Sequence, residues 1–351
     1  MLQIEPKQYD LAVFIGRFEP FHLGHYHVVQ AALAQAEKVC VLVGSSFQPR
    51  SYRNPFLFHE RMDMILDAFP TDRDRITVMP LEDCIYNDGQ WVQNVQAAVA
   101  DVVEHNWGPQ GDPTIALIGH SKDHTSFYLK LFPQWDSINV GAYISEEFVI
   151  AATDIREDFF GTAGRLERRL VPDSTFDLMM RFAGTAGYTD IRGEYEFVQK
   201  YKQAWAAAPY EPTFVTVDVV VVQSGHILLI QRKARPGQGL WALPGGFLNP
   251  SEKIEDAAIR ELREETRIKV PAPVLRGSIK ANRVFDDPHR SSRGRTITHA
   301  YLMDLAPDVK LPQVKGSDDA RVAKWWPLTD VDSEMMFEDH FSIIQSMTAL
   351  L

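Results

Sequence analysis

Cysteine is nearly missing from this chain: its 351 residues include two, Cys40 and Cys84. Two thiols cannot staple a fold or supply the paired spacing of a zinc site, which excludes a disulfide scaffold and a structural zinc module. Cys40 lies inside the apolar run 39–43 and reads as a small buried hydrophobe. Surplus positive charge is missing too. Acidic residues outnumber basic ones 47 to 36, for a formal charge of −11. A general nucleic-acid binder needs excess Lys and Arg to neutralise phosphates, so that class is set aside. Small phosphorylated substrates remain open, because a few local cations or a bound divalent ion offset a negative field. No apolar stretch approaches the roughly 20 residues that span a bilayer. The opening MLQIEPKQYD is polar and acidic, unlike a leader. The expectation is a cytoplasmic protein with neither membrane nor nucleic acid as partner. Neither G-x-G-x-x-G nor G-x-x-x-x-G-K-[ST] occurs. Any phosphate chemistry must therefore differ from that of dinucleotide dehydrogenases and P-loop enzymes.

What is present is length enough for about two domains and a change of texture between the halves. In the first half, short apolar runs at 11–15, 38–43, 76–79, 115–118 and 137–143 alternate with helical spacing at 26–36, 58–68 and 91–104. Continuous apolar strands separated by helices predict βαβ units and a parallel sheet covered on both faces. Residues 176–209 read as largely helical and end in a Pro-rich stop at 209–212. Beyond it, β-branched residues at 214–222, a tight-turn signal at 223–226 and a resumed strand at 227–231 predict a hairpin. The expected division is a domain at 1–184, a helical connector at 185–210 and a second domain at 211–351.

The first chemical signal is GRFEPFHLGH, residues 16–25. A strand that stops at Gly16 and feeds a loop and a helix places this segment at the C-terminal edge of a parallel sheet, where α/β folds bind ligands. His22 and His25 stand three apart at a helix start, where unpaired N–H groups and the positive dipole end favour an anion. Gly24 is expected to leave room for a phosphate. Imidazole donates hydrogen bonds and carries a proton near neutrality, which suits charge developing on a triphosphate. Two histidines that merely cap a structural helix are the plain alternative.

The ten residues resemble the H-x-G-H signature of the nucleotidyltransferase superfamily, in the form found in archaeal-type nicotinamide-mononucleotide (NMN) adenylyltransferases. Asn54-Pro55-Phe56 with Glu60-Arg61 resembles that family's post-strand segment. Asn87-Asp88 with Trp91 resembles the segment whose Trp stacks on nicotinamide, although a lone Trp is more often core. Ala151-Ala152-Thr153-Asp154-Ile155-Arg156 resembles the I-S-x-T-x-x-R motif, with Ala151 replacing a Ser and removing one hydroxyl. The resemblance implies a Rossmann-like domain that transfers adenylyl from ATP to NMN. It implies catalytic roles for His22, His25 and Arg17, and nucleotide contacts from Gly16, Phe18, Gly24, Asn87, Trp91, Gly119, Asp123, Thr153 and Arg156. The alternatives for this half are another mononucleotide or a cytidylyl donor.

The second signal runs from Gly246 to Ile268. Gly246, five residues, Glu252, seven residues, then Arg260-Glu261-Leu262-x-Glu264-Glu265 resembles the Nudix box at every position but one. Glu261, Glu264 and Glu265 share one helical face, and clustered carboxylates raise each other's pKa unless a cation holds them ionised. Hard oxygen ligands select Mg²⁺ or Mn²⁺. A solvated helix of alternating charge is the alternative for that peptide alone; the upstream Trp241-Ala242-Leu243-Pro244-Gly245-Gly246 argues against it. The departure is Arg267 where the box has a Gly in left-handed conformation, at a cost on the order of 1 kcal/mol. The resemblance implies an α/β/α domain with a mixed sheet, metal held by Gly245, Glu261, Glu264 and Glu265, and catalytic roles for Glu261 and Glu264. Residues 283–288 and 293–295 resemble the substrate side of ADP-ribose pyrophosphatases, which implies Arg232, Arg283 and Arg295 on ADP-ribose. Gly316–Asp319 resembles a late acidic loop. A ligand-sensing regulator of the same family would need a basic recognition helix, and the chain shows none.

Overall fold

The computed structural model describes residues 8–119, 131–141, 143–145, 148–161, 164 and 166–351. The chain divides into two units, Met1–Arg192 and Gly193–Leu351.

In the first unit, β1 (Tyr9–Gly16), α1 (Leu23–Gln35), β2 (Ala36–Val43), α2 (Phe58–Leu66), β3 (Ile76–Pro80), α3 (Asp88–Trp107), β4 (Ile115–Gly119) and β5 (Asp136–Asn139) follow in order. The five strands form one sheet in the order β3-β2-β1-β4-β5, parallel throughout. This is the Rossmann-like arrangement that the alternation of strand and helix predicts. Leu11–Val13 of β1 and Val39–Val43 of β2 are inaccessible to solvent, as expected for central strands covered on both faces. Cys40 is among them, and burial pushes its thiol up to about 12. Register pairs Gly16 with Val43, so both inner strands end side by side and their following loops share one edge. Two boundaries differ from expectation. Ala36 adopts extended geometry and begins β2 directly after α1, where a helix end was expected. The last strand stops at Asn139, and the Val140 N–H turns to the Gly119 carbonyl. A small antiparallel pair, β6 (Ile144–Ser145) with β7 (Phe148–Val149), precedes α4 (Ala152–Phe160) and α5 (Asp173–Ala183). α6 (Ala186–Ala204) follows, and its Tyr188 packs on Phe159 and Phe160 and donates to the Phe159 carbonyl at 2.8 Å.

In the second unit, Tyr201 in the last turns of α6 and Trp205 just beyond it stand edge-on to Phe214. Then come β8 (Phe214–Gln223), β9 (His226–Arg232), β10 (Trp241–Ala242), β11 (Gly245–Phe247), α7 (Ile254–Thr266), α8 (Ala272–Gly277), β12 (Ile279–Phe285), β13 (Thr296–Asp304), β14 (Ala320–Pro327) and α9 (His340–Thr348). Their seven strands make a sheet in which β8 and β13 pair parallel and every other pairing is antiparallel. The mixed sheet is thus as expected. Val217, Val219 and Val221 point to one face of β8 by the period of two and meet Ala258 and Leu262 of α7 in one core. α7 is thereby laid along the sheet with its acidic face left over for chemistry.

Two candidate active sites

In the first unit, Gly16 lets β1 turn back on itself. A Cβ there would stand 2.8 Å from the Phe18 ring. Phe18 takes a left-handed φ of 56° and puts its buried ring edge-on to His25, with centroids 4.9 Å apart. His22 is the N-cap of α1. Its Nδ1 accepts from the Gly24 N–H at 3.1 Å, and its own backbone N–H donates to His25 Nδ1 at 3.3 Å. The two rings stack with centroids 3.7 Å apart. With each Nδ1 accepting from backbone, the ring proton of each neutral imidazole is assigned to Nε2. The plain reading of the motif holds: the histidines do cap the helix, and capping sets their tautomer.

Gly24 has a local steric reason beside the expected one. A Cβ at Gly24 would lie 2.9 Å from His22 Cε1, so the space belongs to the imidazole. Gly24→Ala is expected to displace that ring and lower first-unit turnover by about 10²-fold, the scale of a 1 Å misplacement. Steady-state kinetics beside an unchanged circular dichroism spectrum checks this, and near-normal turnover would contradict it.

Four charges converge behind the loop. Glu19, Arg61 and Arg156 are buried, while Arg17 is exposed. Glu19 Oε1 lies 3.2 Å from Arg61 Nε, and Glu19 Oε2 accepts from the Phe56 N–H at 3.1 Å. Arg61 donates to the carbonyls of Arg17, Gly44 and Ser45. It therefore ties together the loops that follow β1 and β2. Burial drives the Glu19 carboxyl up to about 8 and Arg61 opposes it. Arg156 Nη1 donates to the Glu19 carbonyl at 2.5 Å and Nη2 to Thr153 Oγ1 at 3.2 Å. Burial first, then Arg17, brings the Arg156 guanidinium down to about 10. Among the described residues its buried Nε meets no hydrogen-bond acceptor. Ala151 caps α4 without a side-chain bond, as the missing hydroxyl predicts. The structure thus gathers Arg17, His22, His25, Thr153 and Arg156 around one loop. Sequence reasoning missed Glu19 as a structural acid, although it lies inside the motif.

Asn87 caps α3 by accepting from the Gln90 N–H at 3.1 Å. Trp91 is half-buried, packed at the edge of the first-unit core with its ring 6.1 Å from Phe132. Gly119 ends β4. Asp123 lies outside the described residues.

In the second unit, two glycines fit the turn before α7. A Cβ at Gly245 would lie 2.1 Å from the Val217 carbonyl, and one at Gly246 would lie 2.6 Å from Glu261 Oε1. The Gly245 N–H donates to Glu265 Oε2 at 3.0 Å. Burial, then Glu261 and Asp319, push the Glu265 carboxyl up to about 8 against that bond and Arg232. Burial also raises Glu261, with Glu264 and Asp318 adding to it. Arg260 grips Glu252 through both oxygens at 2.6 and 2.9 Å, which holds Glu252 down to about 2. Its Nη1 also donates to Glu261 at 2.8 Å and Glu264 at 2.9 Å. Among the described residues no three acidic or histidine side chains close on one point as a ligand set; Arg260 occupies the carboxylates that the helical spacing brings together. The donor set nevertheless suits a hard divalent cation. Two carboxyls, the half-buried Glu261 and the buried Glu265, are held above their ordinary range chiefly by burial, which a cation would offset, and all the donors are oxygens. Arg267 does take the left-handed conformation, at φ 47° and ψ 32°, and touches none of these groups.

Arg232 stacks over the Phe337 ring at 3.9 Å and donates from Nε to the Pro236 carbonyl. Arg283 is exposed and reaches Ser346 at 3.3 Å. Arg295 is spent on the Asp286 carbonyl and carboxylate. The sheet also hides Asp218, a lone acid in the apolar run of β8. Thr298 donates to it at 2.6 Å, and Arg290 Nη2 lies 3.7 Å away while pairing closely with Asp339. His340 Nδ1 accepts from the Leu243 N–H at 3.0 Å, two residues before Gly245. Burial holds this imidazole neutral, down to about 3 from 6.5. A depressed folded pKa gives stability that is whole above pH 6.5 and lost as pH falls toward 3, on the order of 2 kcal/mol at pH 5. His340→Gln keeps an acceptor for Leu243, so its second-unit melting temperature is expected to fall less than wild type's between pH 7 and 5. Parallel profiles would contradict this.

Histidine and arginine donors around one loop, and acidic donors under a double-glycine turn, each suit phosphoanhydride chemistry from opposite electrostatic sides. The fold and sites define a nucleotidyltransferase-type enzyme continued by a Nudix-type hydrolase. Family models agree, with Cytidylyltransferase-like matching residues 13–122 and NUDIX domain matching residues 212–347. A nicotinamide/nicotinic acid mononucleotide adenylyltransferase of Acinetobacter baylyi is 35% identical over 189 residues, 54% of this chain and 94% of that protein. An ADP-ribose pyrophosphatase of Methanocaldococcus jannaschii is 34% identical over 131 residues, 37% of this chain and 70% of that protein. A solved bifunctional NMN adenylyltransferase/ADP ribose pyrophosphatase of Francisella tularensis, complexed with AMP and a Mn ion, is 36% identical. It covers 97% of this chain and 99% of its own, with a TM-score of 0.88. The chain belongs to the family of bifunctional NMN adenylyltransferase/ADP-ribose pyrophosphatases.

Proposed function

We propose that the first unit joins NMN to the adenylyl group of ATP, giving NAD and pyrophosphate, and that the second hydrolyses ADP-ribose to AMP and ribose 5-phosphate. What supports the pairing most is the likeness to one solved enzyme with both activities in its name, running over 97% of the chain. The working modules are residues 1–184 and 211–351, in a cytoplasmic enzyme; no helix among the described residues is long and apolar enough to cross a membrane.

In the transferase, the NMN 5′-phosphate attacks the α-phosphorus of ATP, and the bond to the bridging oxygen of pyrophosphate breaks. His22 and His25 donate Nε2–H to the triphosphate, Arg17 steadies the reacting phosphate, and Arg156 offers its buried Nε to the outgoing phosphates. Thr153 aligns that guanidinium. Gly16 and Phe18 shape the loop, and the half-buried Trp91 stacks on the nicotinamide. Catalysis here is positioning and charge neutralisation, without a covalent enzyme intermediate.

In the hydrolase, Glu261, Glu264, Glu265 and the Gly245 backbone would hold Mg²⁺, or Mn²⁺. When bound, the ion supplies the charge that keeps these carboxyls ionised and that offsets charge on the diphosphate. Glu264, half exposed, parts from Arg260, and its carboxylate takes the proton of the water that attacks one phosphorus of the diphosphate as the bond from that phosphorus to the bridging oxygen breaks. Glu252 retains the Arg260 guanidinium and keeps the helix start in place.

Mass spectrometry of purified full-length protein with Mg²⁺ tests both halves. No NAD from NMN plus ATP would sink the first claim, and intact ADP-ribose the second.

A further inference from the structure

We propose that Asp218 and His340 are positioning residues of the hydrolase: together they brace the double-glycine turn, so that the Gly245 carbonyl is fixed as a donor to the divalent cation. The inference deepens the pyrophosphohydrolase reading and rests on it.

The turn is gripped one backbone group at a time. The Leu243 N–H donates to His340 Nδ1 at 3.0 Å. The Pro244 carbonyl accepts from the Val219 N–H at 2.8 Å, and the Gly245 N–H donates to Glu265 Oε2 at 3.0 Å. Gly245 stands opposite Asp218 in the antiparallel register of β11 on β8. Cross-strand bonds join Pro244 to Val219 and Leu248 to Val215. By the alternation of antiparallel bonding, Gly245 and Asp218 are then a pair that exchanges no bond. Both polar backbone groups of Gly245 therefore point away from β8, on the side where Glu265 takes the N–H.

Asp218 opens on the other face of β8 from Val217 and Val219, which pack on α7. A Cβ at position 245 would lie 2.7 Å from Asp218 Oδ1, so the carboxylate fills the space that a side chain there would take. The same carboxylate faces three donors. Thr298 Oγ1 donates to Oδ2 at 2.6 Å, Arg290 Nη2 lies 3.7 Å from Oδ2, and His340 Nε2 lies 3.9 Å from Oδ1. With Nδ1 accepting from Leu243, the proton of the neutral ring is assigned to Nε2, which faces Asp218. Asp218 thus orients the ring, and the ring holds the backbone two residues before Gly245. Asp218, Thr298 and His340 are all buried, where apolar side chains would fill the same volume at less cost. The polar set is accounted for by what it holds in place. Outer partners of this kind fix the donors of a metal, and breaking one costs about 10- to 100-fold in affinity or activity.

Full-length wild type is compared with Asp218→Asn, His340→Leu, His340→Gln and the control Gln223→Leu. Gln223 is buried at the far end of β8, where its amide donates to the Ala306 carbonyl; replacing it lowers stability without touching the turn. Asparagine has one acceptor oxygen where the carboxylate has two, so Thr298 or His340 then faces a donor. Leucine removes the acceptor for the Leu243 N–H, and glutamine restores one. Asp218→Asn and His340→Leu are expected to raise the Mn²⁺ Kd, read by electron paramagnetic resonance without nucleotide, by about 10- to 100-fold. The Mg²⁺ concentration for half-maximal ADP-ribose hydrolysis should rise by the same factor, which assigns the bound ion to this site. With the carboxylates intact, kcat at saturating Mg²⁺ should stay within about threefold. His340→Gln and Gln223→Leu should keep wild-type metal constants, and NAD synthesis should be unchanged in all. Wild-type metal constants in Asp218→Asn or His340→Leu would overturn the brace. An equal shift in Gln223→Leu would overturn it too, by assigning the effect to stability. Should His340→Leu fail to fold, Asp218→Asn decides alone. A wild type that binds no Mn²⁺ and leaves ADP-ribose intact overturns the hydrolase reading instead.

Discussion

His25→Ala is expected to lower NAD formation from NMN and ATP by about 10³-fold, the scale for losing a preorganised donor at developing charge. ADP-ribose hydrolysis should stay near wild type. The His25 ring does three things that alanine ends together. It places Nε2–H at the loop, its Nδ1 accepts from the His22 N–H, and its face supports the His22 ring at 3.7 Å. The loss should therefore exceed that of a single donor, because His22 loses its stacking partner and N3 support in the same step. His25→Asn separates the parts: an amide can still accept from the His22 N–H but offers no Nε2–H at the imidazole position. Activity of His25→Asn close to that of alanine assigns the effect to the donor, whereas recovery toward wild type assigns it to the cap. NAD formation is read by coupled assay at saturating NMN and ATP. A fall of less than about tenfold in His25→Ala would remove the histidine pair from the chemistry, since a positioned proton donor contributes at least 10²-fold.

How much of this was legible in the sequence depends on how local the causes are. The H-x-G-H loop could be read because its strand end, glycine and imidazoles lie within ten residues, and the fold class because β1 and β2 are continuous apolar runs. The box could be read because 3.6 residues per turn turns spacing into a shared face. The same logic did not show that Gly24 also makes room for the ring two residues earlier. It also left Glu261 and Glu264 on a common face without showing that Arg260 bridges them. Contacts across long sequence separations left no trace at all. Glu19 with Arg61 spans 42 positions and Arg156 to the Glu19 carbonyl spans 137. Asp218 did leave a signal, one acid inside the run 214–222, which only a buried partner can excuse. Among the arginines, composition is silent: Arg283, Arg290, Arg293 and Arg295 are alike until burial and partners separate them.

Glu264→Gln is expected to abolish the second activity alone, lowering ADP-ribose hydrolysis by about 10²- to 10⁴-fold, the range for a positioned acid or base. Of the three clustered carboxylates, Glu264 is the one whose loss tests chemistry rather than folding. Its side chain is 47% exposed, so an amide there meets water and leaves no buried orphan. Glu265 is different: it accepts from the Gly245 N–H while buried, and its replacement would disturb the turn as well. Glu261 is intermediate, because its carboxylate fills the space that Gly246 leaves open. Arg260 gives the experiment an internal standard. Glu264 competes with Glu252 and Glu261 for that guanidinium, but Glu252 holds it through two oxygens. Glu264→Gln should therefore leave the helix anchored and the melting temperature within about 2 °C, as for a surface change of under 0.5 kcal/mol. Hydrolysis lost with melting and NAD synthesis both preserved is the expected pattern. Hydrolysis retained would shift the proton-accepting role to Glu261, whose raised carboxyl is then the remaining base at that turn.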